Sequence, residues 1–317
     1  MLLGRLSFRN QKNLSLMNQT ASSIIRSLRL RTLPLSLAGS LLGLFLAAAE
    51  SRLSVGVAIL TLLTTAFLQC LSNMSNELGD WLSGLDREGR KGPQYSLQSG
   101  TLTEHTMRLC IGTLVILCCA SGTAMTWLSF GTLLALEPIL VLLLGAAAIW
   151  AAMHYTLGRH PYGYHGLGDV FVFIFFGLVP VLGARYVASH QLTLWPAVLP
   201  AIAIGCFSIG VLNVNNIRDM ISDREGGRVT VAMQLGTRRA RIYHTVLIIT
   251  GWVAMLAYTV LTFHSPWNLL YVLTLPLYMI HLRGVWRKEG RALDPMLPML
   301  VLSSFAFSLL SGIGILI

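Results

Sequence analysis

Apolar residues run in long blocks along this chain, and polar residues gather in the intervals between them. Nine blocks approach or exceed the ~20 residues that cross the hydrocarbon core of a bilayer. They lie at 32–49, 53–75, 105–126, 132–157, 168–188, 194–217, 240–262, 266–283 and 296–316. In lipid, a single segment can satisfy its own backbone hydrogen bonds only as a helix, so these blocks predict helices. Two long polar intervals, 76–104 and 218–239, read as loops on one side of the membrane. They hold eight of the thirteen acidic residues, and loops on a rigid scaffold are where chemistry gathers. The opposite turns are short and bland, such as 50–52 and 264–266.

Composition supports this reading. Apolar residues make up 54% of the chain and charged ones 11%, too few to cover a soluble protein of 317 residues. The net charge of +10 invites a nucleic-acid reading, but its distribution argues otherwise. With the N-terminus inside, 21 of the 23 Lys and Arg residues fall on the cytoplasmic side, leaving only Arg52 and Arg185 outside. That asymmetry is the positive-inside pattern, and it places the C-terminus outside. No nucleic acid is implied. The first 30 residues are basic and polar and lack the apolar core of a secretory signal. They read as a cytoplasmic tail leading to an interfacial segment at 24–30. The five cysteines (Cys70, Cys110, Cys118, Cys119 and Cys206) sit in apolar runs without a CxxC pair, so they read as packing residues.

Two polar clusters stand at the cytoplasmic ends of spans 2 and 6. The first carries Asn73, Asn76, Glu77, Asp80, Gly84 and Asp86. The second carries Asn213, Asn215, Asn216, Arg218, Asp219, Asp223 and Arg224. Asn76 and Asp80 are four apart and share one helix face, with Asn73 a turn below. Asn215, Asp219 and Asp223 form a second stripe at the same spacing. Gly84 can end the first helix and let Asp86 curl back. The stripes predict an all-α integral membrane protein, about nine helices around a central cavity, with the two sets of oxygens facing across it.

Carboxylates and amide carbonyls are hard oxygen ligands that suit Mg²⁺, which shares its shell with substrate phosphates. Arg87, Arg90, Lys91, Arg218, Arg224 and Arg228 lie near the clusters in sequence, Arg159 follows span 4 on the same side, and all can grip phosphate oxygens. Acids, bases and amides together describe a polyanion held through metal. A solvated loop with ordinary charges is the simpler alternative, but two clusters of the same make at matching helix ends argue against it. A cation-coupled transporter is another alternative; its acids would lie nearer the midplane.

At these residues the chain resembles the UbiA superfamily of intramembrane aromatic prenyltransferases. Residues 71–93, LSNMSNELGDWLSGLDREGRKGP, are similar to its first acidic motif, and 212–230, LNVNNIRDMISDREGGRVT, to its second. Together with YTLGRHPYGYHGLGD at 155–169, they resemble the branch that prenylates 1,4-dihydroxy-2-naphthoate. The resemblance runs from about residue 22 to the end, leaving 1–21 as an N-terminal tail before a transmembrane domain at 22–317. It departs from the pattern at Glu77, where the family has Asp, at Arg228, where it has Lys, and at Leu30, where it has Pro.

The resemblance implies transfer of a polyprenyl group from an allylic polyprenyl diphosphate to dihydroxynaphthoate, with loss of CO₂ and diphosphate, giving demethylmenaquinone. Mg²⁺ is the implied cofactor, and the bacterial cytoplasmic membrane the implied location, with the site facing the cytoplasm. Asn76, Asp80 and Asp86 are then the first metal cluster, Asp219 and Asp223 the second, with Asn215 beside it. Asn73 adds to the substrate pocket, and Arg159 and Arg228 contact the diphosphate. Tyr155 and Tyr162 shield the allylic cation through their π faces. Asp169 either orients or deprotonates the acceptor hydroxyl, or simply caps the helix of span 5. Tyr164 and His165 read as loop structure, and His154 as structural. Another aromatic acceptor within the superfamily remains the competing reading.

Overall fold

The computed structural model describes residues 19–51, 53–84 and 96–317. Asp86, Arg87, Arg90 and Lys91 lie outside the described residues. Among the described residues, nine helical segments are long and apolar enough to cross a membrane. They are α1 (Gln19–Glu50), α2 (Val55–Leu82), α3 (Glu104–Phe130), α4 (Leu136–His154), α5 (Gly168–Ser189), α6 (Val198–Glu225), α7 (Val231–Thr262), α8 (Pro266–Arg287) and α9 (Gly290–Leu316). The all-α architecture expected from the sequence is the one observed.

The helices run further than the apolar blocks. The intervals 76–104 and 218–239 read as loops from their polarity, yet α2 continues to Leu82 and α6 to Glu225. A helix satisfies its backbone whether its side chains are apolar or polar, so it outlasts the hydrocarbon that ends the apolar pattern. The consequence is functional: both acidic stripes ride on rigid helix rather than on loops. Gly84, at φ +83°, follows the end of α2 in the left-handed region that glycine adopts at little cost.

Three further departures have local causes. Arg29, at φ +49°, and a short 3₁₀ turn at Leu30–Thr32 interrupt α1 before its membrane portion. In α5, residues Phe173–Gly183 wind as a π-helix around Pro180, a residue that cannot keep the regular i→i−4 ladder. α7 breaks at Gly236, whose φ +74° and ψ 161° separate a short first segment from the long apolar one. Thr230 caps that first segment by accepting from the Met233 amide.

α6 is the most buried span and packs on α5, α7 and α9. It approaches α5 closely where a Cβ on Gly177 would lie 2.4 Å from the Gly205 Cα, so any larger residue there must push the helices apart. One apolar core, including Phe207, Tyr278 and Phe307, fills the space among α1, α5, α6, α7, α8 and α9. A second, around Leu71, Met74, Leu78 and Met107, joins α2 to α3.

At the membrane side opposite the acidic stripes, the buried Arg185 guanidinium binds the Glu50 carboxylate at 2.7 Å and donates to the Thr193 carbonyl at 2.7 Å. This pair ties α1 to α5. Removing Glu50 leaves the buried Arg185 guanidinium without its carboxylate, while the exposure of Glu50 itself keeps the cost below that of a fully buried pair. Glu50→Ala therefore lowers the unfolding temperature in detergent markedly. A melting curve that overlays wild type would show that the Thr193 carbonyl and lipid suffice for Arg185.

Candidate active site

Three segments meet where the two stripes end: the last turns of α2, the last turns of α6 with the following loop at 226–230, and the loop 155–168 between α4 and α5. The loops are clipped together by backbone. The Val229 amide donates to the Tyr164 carbonyl at 3.0 Å, and His165 and Val229 form an isolated parallel bridge. The Arg228 amide donates back to the Asp223 carbonyl at 2.9 Å, closing the end of α6.

Arg228 joins the stripes. Its Nη2 lies 2.9 Å from Asp80 Oδ1, and its Nη1 lies 3.6 Å from Asp223 Oδ1. One guanidinium therefore spans carboxylates 143 positions apart in the chain. Both acids are largely buried, Asp80 at 6% exposure and Asp223 at 7%. Burial opposes the charge on Arg228, but Asp80 and Asp223 outweigh it and hold its pKa above the ordinary arginine value. Its Nε is buried without a hydrogen-bond partner among the described residues.

Tyr164 completes this centre. Its hydroxyl donates to Asp80 Oδ1 at 2.9 Å and lies 3.0 Å from Ser83 Oγ, and its ring sits 4.6 Å from the Arg228 guanidinium carbon. Burial, with the Asp80 charge beside it, pushes the phenol well above its usual value, so it stays a proton donor. Reading Tyr164 and His165 as loop structure missed this residue. The tyrosine-rich segment gave a signal, but not the direction of any ring.

The rest of the first stripe divides. Asn76 Oδ1 accepts from Thr156 Oγ1 at 3.3 Å, and the same hydroxyl binds the Ser75 carbonyl at 3.1 Å. The contact is close because Gly79 faces Thr156: a Cβ there would lie 2.4 Å from Thr156 Oγ1. Asn73 is placed elsewhere. Its amide donates to the Leu28 carbonyl and to Thr32 Oγ1 and accepts from Gln69, all within a network joining α2 to α1. Glu77 is fully buried, and its carboxylate accepts from the Leu97 amide at 3.1 Å. It anchors the segment before α3, apart from the Asp80–Arg228–Asp223 centre.

On α6, Arg218 takes up Asp219 and Asn215. It reaches Asp219 Oδ2 at 2.5 Å, Asn215 Oδ1 at 2.6 Å and, across to the start of α9, Asp294 Oδ1 at 3.0 Å. Arg159 is exposed after α4 and makes no ion pair among the described residues.

Tyr155 and Tyr162 line the loop beside these charges. Tyr162 donates to the Ala151 carbonyl at 2.7 Å, stacks on Phe171 at 3.8 Å and meets Tyr155 edge-on at 5.4 Å. Burial pushes the Tyr155 phenol up to about 12, in a setting that includes the charges of Arg228, Asp80, Asp169 and Asp223. Asp169 is not the helix cap: the N-cap of α5 is Leu167, and Asp169 stands in the first turn with Oδ2 accepting from the Tyr243 hydroxyl at 2.8 Å. His154 stacks on Trp150 and bonds its carbonyl, the structural role expected of it.

Among the described residues no three His, Cys, Asp or Glu side chains converge on one point. The donor set still suits a hard cation. Asp80 and Asp223 are close enough for one cationic group to serve both, and the amide oxygens of Asn76 and Asn215 stand on the same stripes. The unpartnered Nε of Arg228 offers a donor to an anion bound there.

Comparison with known proteins adds a separate line of support. Residues 36–305 match the model of the UbiA prenyltransferase family. The 1,4-dihydroxy-2-naphthoate octaprenyltransferase of Escherichia coli (strain K12) is 39% identical over 293 residues, covering 92% of this chain and 94% of that protein. The enzyme of the same name from Mycobacterium tuberculosis is 32% identical, over 85% of this chain and 88% of its own. Among solved structures, a UbiA homolog from Aeropyrum pernix K1 superposes with a TM-score of 0.65 at 18% identity, covering 92% of this chain and 97% of that one. A UbiA homolog from Archaeoglobus fulgidus, bound to DMAPP and Mg²⁺, gives 0.63 at 16% identity over 93% and 99%.

Proposed function

Because this chain belongs to the UbiA prenyltransferase family, we propose that it transfers a polyprenyl group from its diphosphate to 1,4-dihydroxy-2-naphthoate, releasing CO₂ and diphosphate. The observation that carries the reading is the meeting of Asp80 and Asp223 on one partly buried arginine, which brings residues of both acidic motifs to a single centre. Identity of 39% to the octaprenyltransferase of Escherichia coli, along nearly the whole chain, supports the choice of acceptor. The N-terminus is cytoplasmic in this reading, and the site faces the cytoplasm of a menaquinone-making bacterium.

In this reading Asp80 and Asp223, with Asn76 and Asp219, would hold the metal, with Asn215 beside it; Asp86, assigned to the same cluster from the sequence, lies outside the described residues. When bound there, Mg²⁺ neutralises the diphosphate and makes it a competent leaving group. Arg228 adds a fixed positive charge and a spare Nε–H donor for oxygens that the metal leaves uncovered. Arg159, exposed after α4, supplies a further cation for the phosphate in this reading.

The allylic C–O bond breaks with its electron pair going to diphosphate. The ring carbon that bears the carboxylate then bonds to the allylic carbon. The carboxylate leaves as CO₂, and its bonding electrons restore the aromatic ring. The product is the quinol form of demethylmenaquinone. In this reading Tyr155 shields the electron-poor allyl group with its ring, and Tyr162, stacked on Phe171, holds Tyr155 edge-on. Asp169, held by Tyr243, orients the acceptor hydroxyl. Lipid-facing helices keep out the water that would trap the cation.

The test is direct. Membranes carrying the protein, given labelled polyprenyl diphosphate, Mg²⁺ and dihydroxynaphthoate, yield a prenylated naphthalenediol and CO₂ in equal amounts. Prenylation of 4-hydroxybenzoate without reaction of dihydroxynaphthoate would replace this acceptor with another aromatic one.

A further inference from the structure

We propose that Tyr164 is a positioning residue of the diphosphate site, fixing the Asp80 carboxylate relative to Arg228 and thereby setting the affinity of the site for its divalent cation. The inference rests on the metal–diphosphate reading above and deepens it.

Four contacts support it, and each serves the junction between the motifs. The phenol donates to Asp80 Oδ1, the same oxygen that Arg228 Nη2 approaches. Two donors on one oxygen fix the rotation of the carboxylate about its Cβ–Cγ bond. Ser83, at the C-cap of α2, holds the phenol oxygen from the other side. The ring lies against the Arg228 guanidinium, an attraction that grows when water is excluded. The backbone carbonyl of Tyr164 accepts from Val229, next to Arg228, and fixes the height of that loop.

Tyr164 thus touches the first motif by its hydroxyl, the cation between the motifs by its ring, and the second motif's loop by its backbone. A loop residue with a purely structural role needs only one of these. Partners behind a metal-binding group govern its orientation and basicity, and their loss typically weakens metal binding about 10- to 100-fold.

Two variants separate the parts. Tyr164→Phe keeps the ring on Arg228 and removes only the hydroxyl. Tyr164→Leu removes both. Mn²⁺ binding to the full-length protein in detergent is measured by electron paramagnetic resonance, with geranyl thiodiphosphate present. Mg²⁺ half-saturation of turnover is measured beside it, with a thermal melt on each variant.

The expected result is a roughly 10- to 100-fold loss of Mn²⁺ affinity in Tyr164→Phe, with a matching rise in the Mg²⁺ requirement and an unchanged melt. Tyr164→Leu, if it folds, loses more and also raises KM for the prenyl diphosphate. Wild-type metal affinity in Tyr164→Phe overturns the inference, even if the melt or kcat falls, because that pattern belongs to a structural residue. Failure of the wild-type protein to bind Mn²⁺ with the thiodiphosphate overturns the metal–diphosphate reading itself, and this inference with it.

Discussion

Asp80→Ala lowers kcat/KM for the polyprenyl diphosphate by about 10³-fold or more, equivalent to roughly 4 kcal/mol of transition-state stabilisation. Asp223→Ala does the same. The two effects are expected to be of similar size because the acids share one cation, Arg228. Charge on the departing diphosphate has to be balanced at this point, and a carboxylate that holds the balancing cation contributes mainly in the transition state. Asp80→Asn separates charge from shape: it can still accept from Tyr164 but brings no charge, so it stays close to the alanine variant. Protein recovered in the membrane fraction should match wild type, since Asp80 lies at the end of α2 rather than in its apolar core. Turnover within tenfold of wild type in either alanine variant sinks the metal assignment.

Arg228→Gln produces the second large effect, with two separable parts. Loss of a preorganised cation beside the diphosphate lowers kcat by about 10²- to 10³-fold. Arg228→Lys recovers part of it, because the charge remains while the planar fork is lost. The other part concerns stability. Arg228 lies between two buried carboxylates, so Arg228→Gln leaves like charges facing one another. Without divalent metal the variant melts below wild type, and added Mg²⁺ restores much of the difference. Wild type responds less to Mg²⁺ because its guanidinium already occupies the gap. Equal Mg²⁺ response in the two proteins would mean that Arg228 does not substitute for metal between the acids.

Several features were legible from one sequence because they are local. A transmembrane helix needs a continuous apolar run, and nine runs gave nine helical spans among the described residues. The i, i+4 spacing of Asn76 with Asp80, and of Asn215, Asp219 and Asp223, follows from helical pitch wherever the helix lies. The boundaries at 76 and 218 were misplaced because polarity marks where lipid ends, whereas backbone hydrogen bonding sets where a helix ends.

Asn73 shows the limit of the face argument. It shares a face with Asp80 but lies seven residues deeper, about 10 Å along the axis. At that depth the neighbour is α1, so its amide serves Leu28 and Thr32. Glu77 shows the other limit. One residue turns the helix by about 100°, which aims its carboxylate at Leu97 rather than at the Asn76–Asp80 stripe. Arg218 pairs with its sequence neighbour Asp219 and also with Asp294, a contact across 76 positions that no periodicity announces.

By itself, then, the sequence determined the membrane class, the helical spans and the two acidic stripes, because each depends on residues within a few turns of one another. The tertiary structure decided which stripe members face each other and what stands between them. Asp80, Tyr164 and Arg228 come from three separate segments, and their junction exists only because loops 155–168 and 226–230 are clipped together at Tyr164 and Val229. The helical register fixes direction around an axis. Which residue waits in that direction depends on how nine helices pack, and packing is a property of the whole chain.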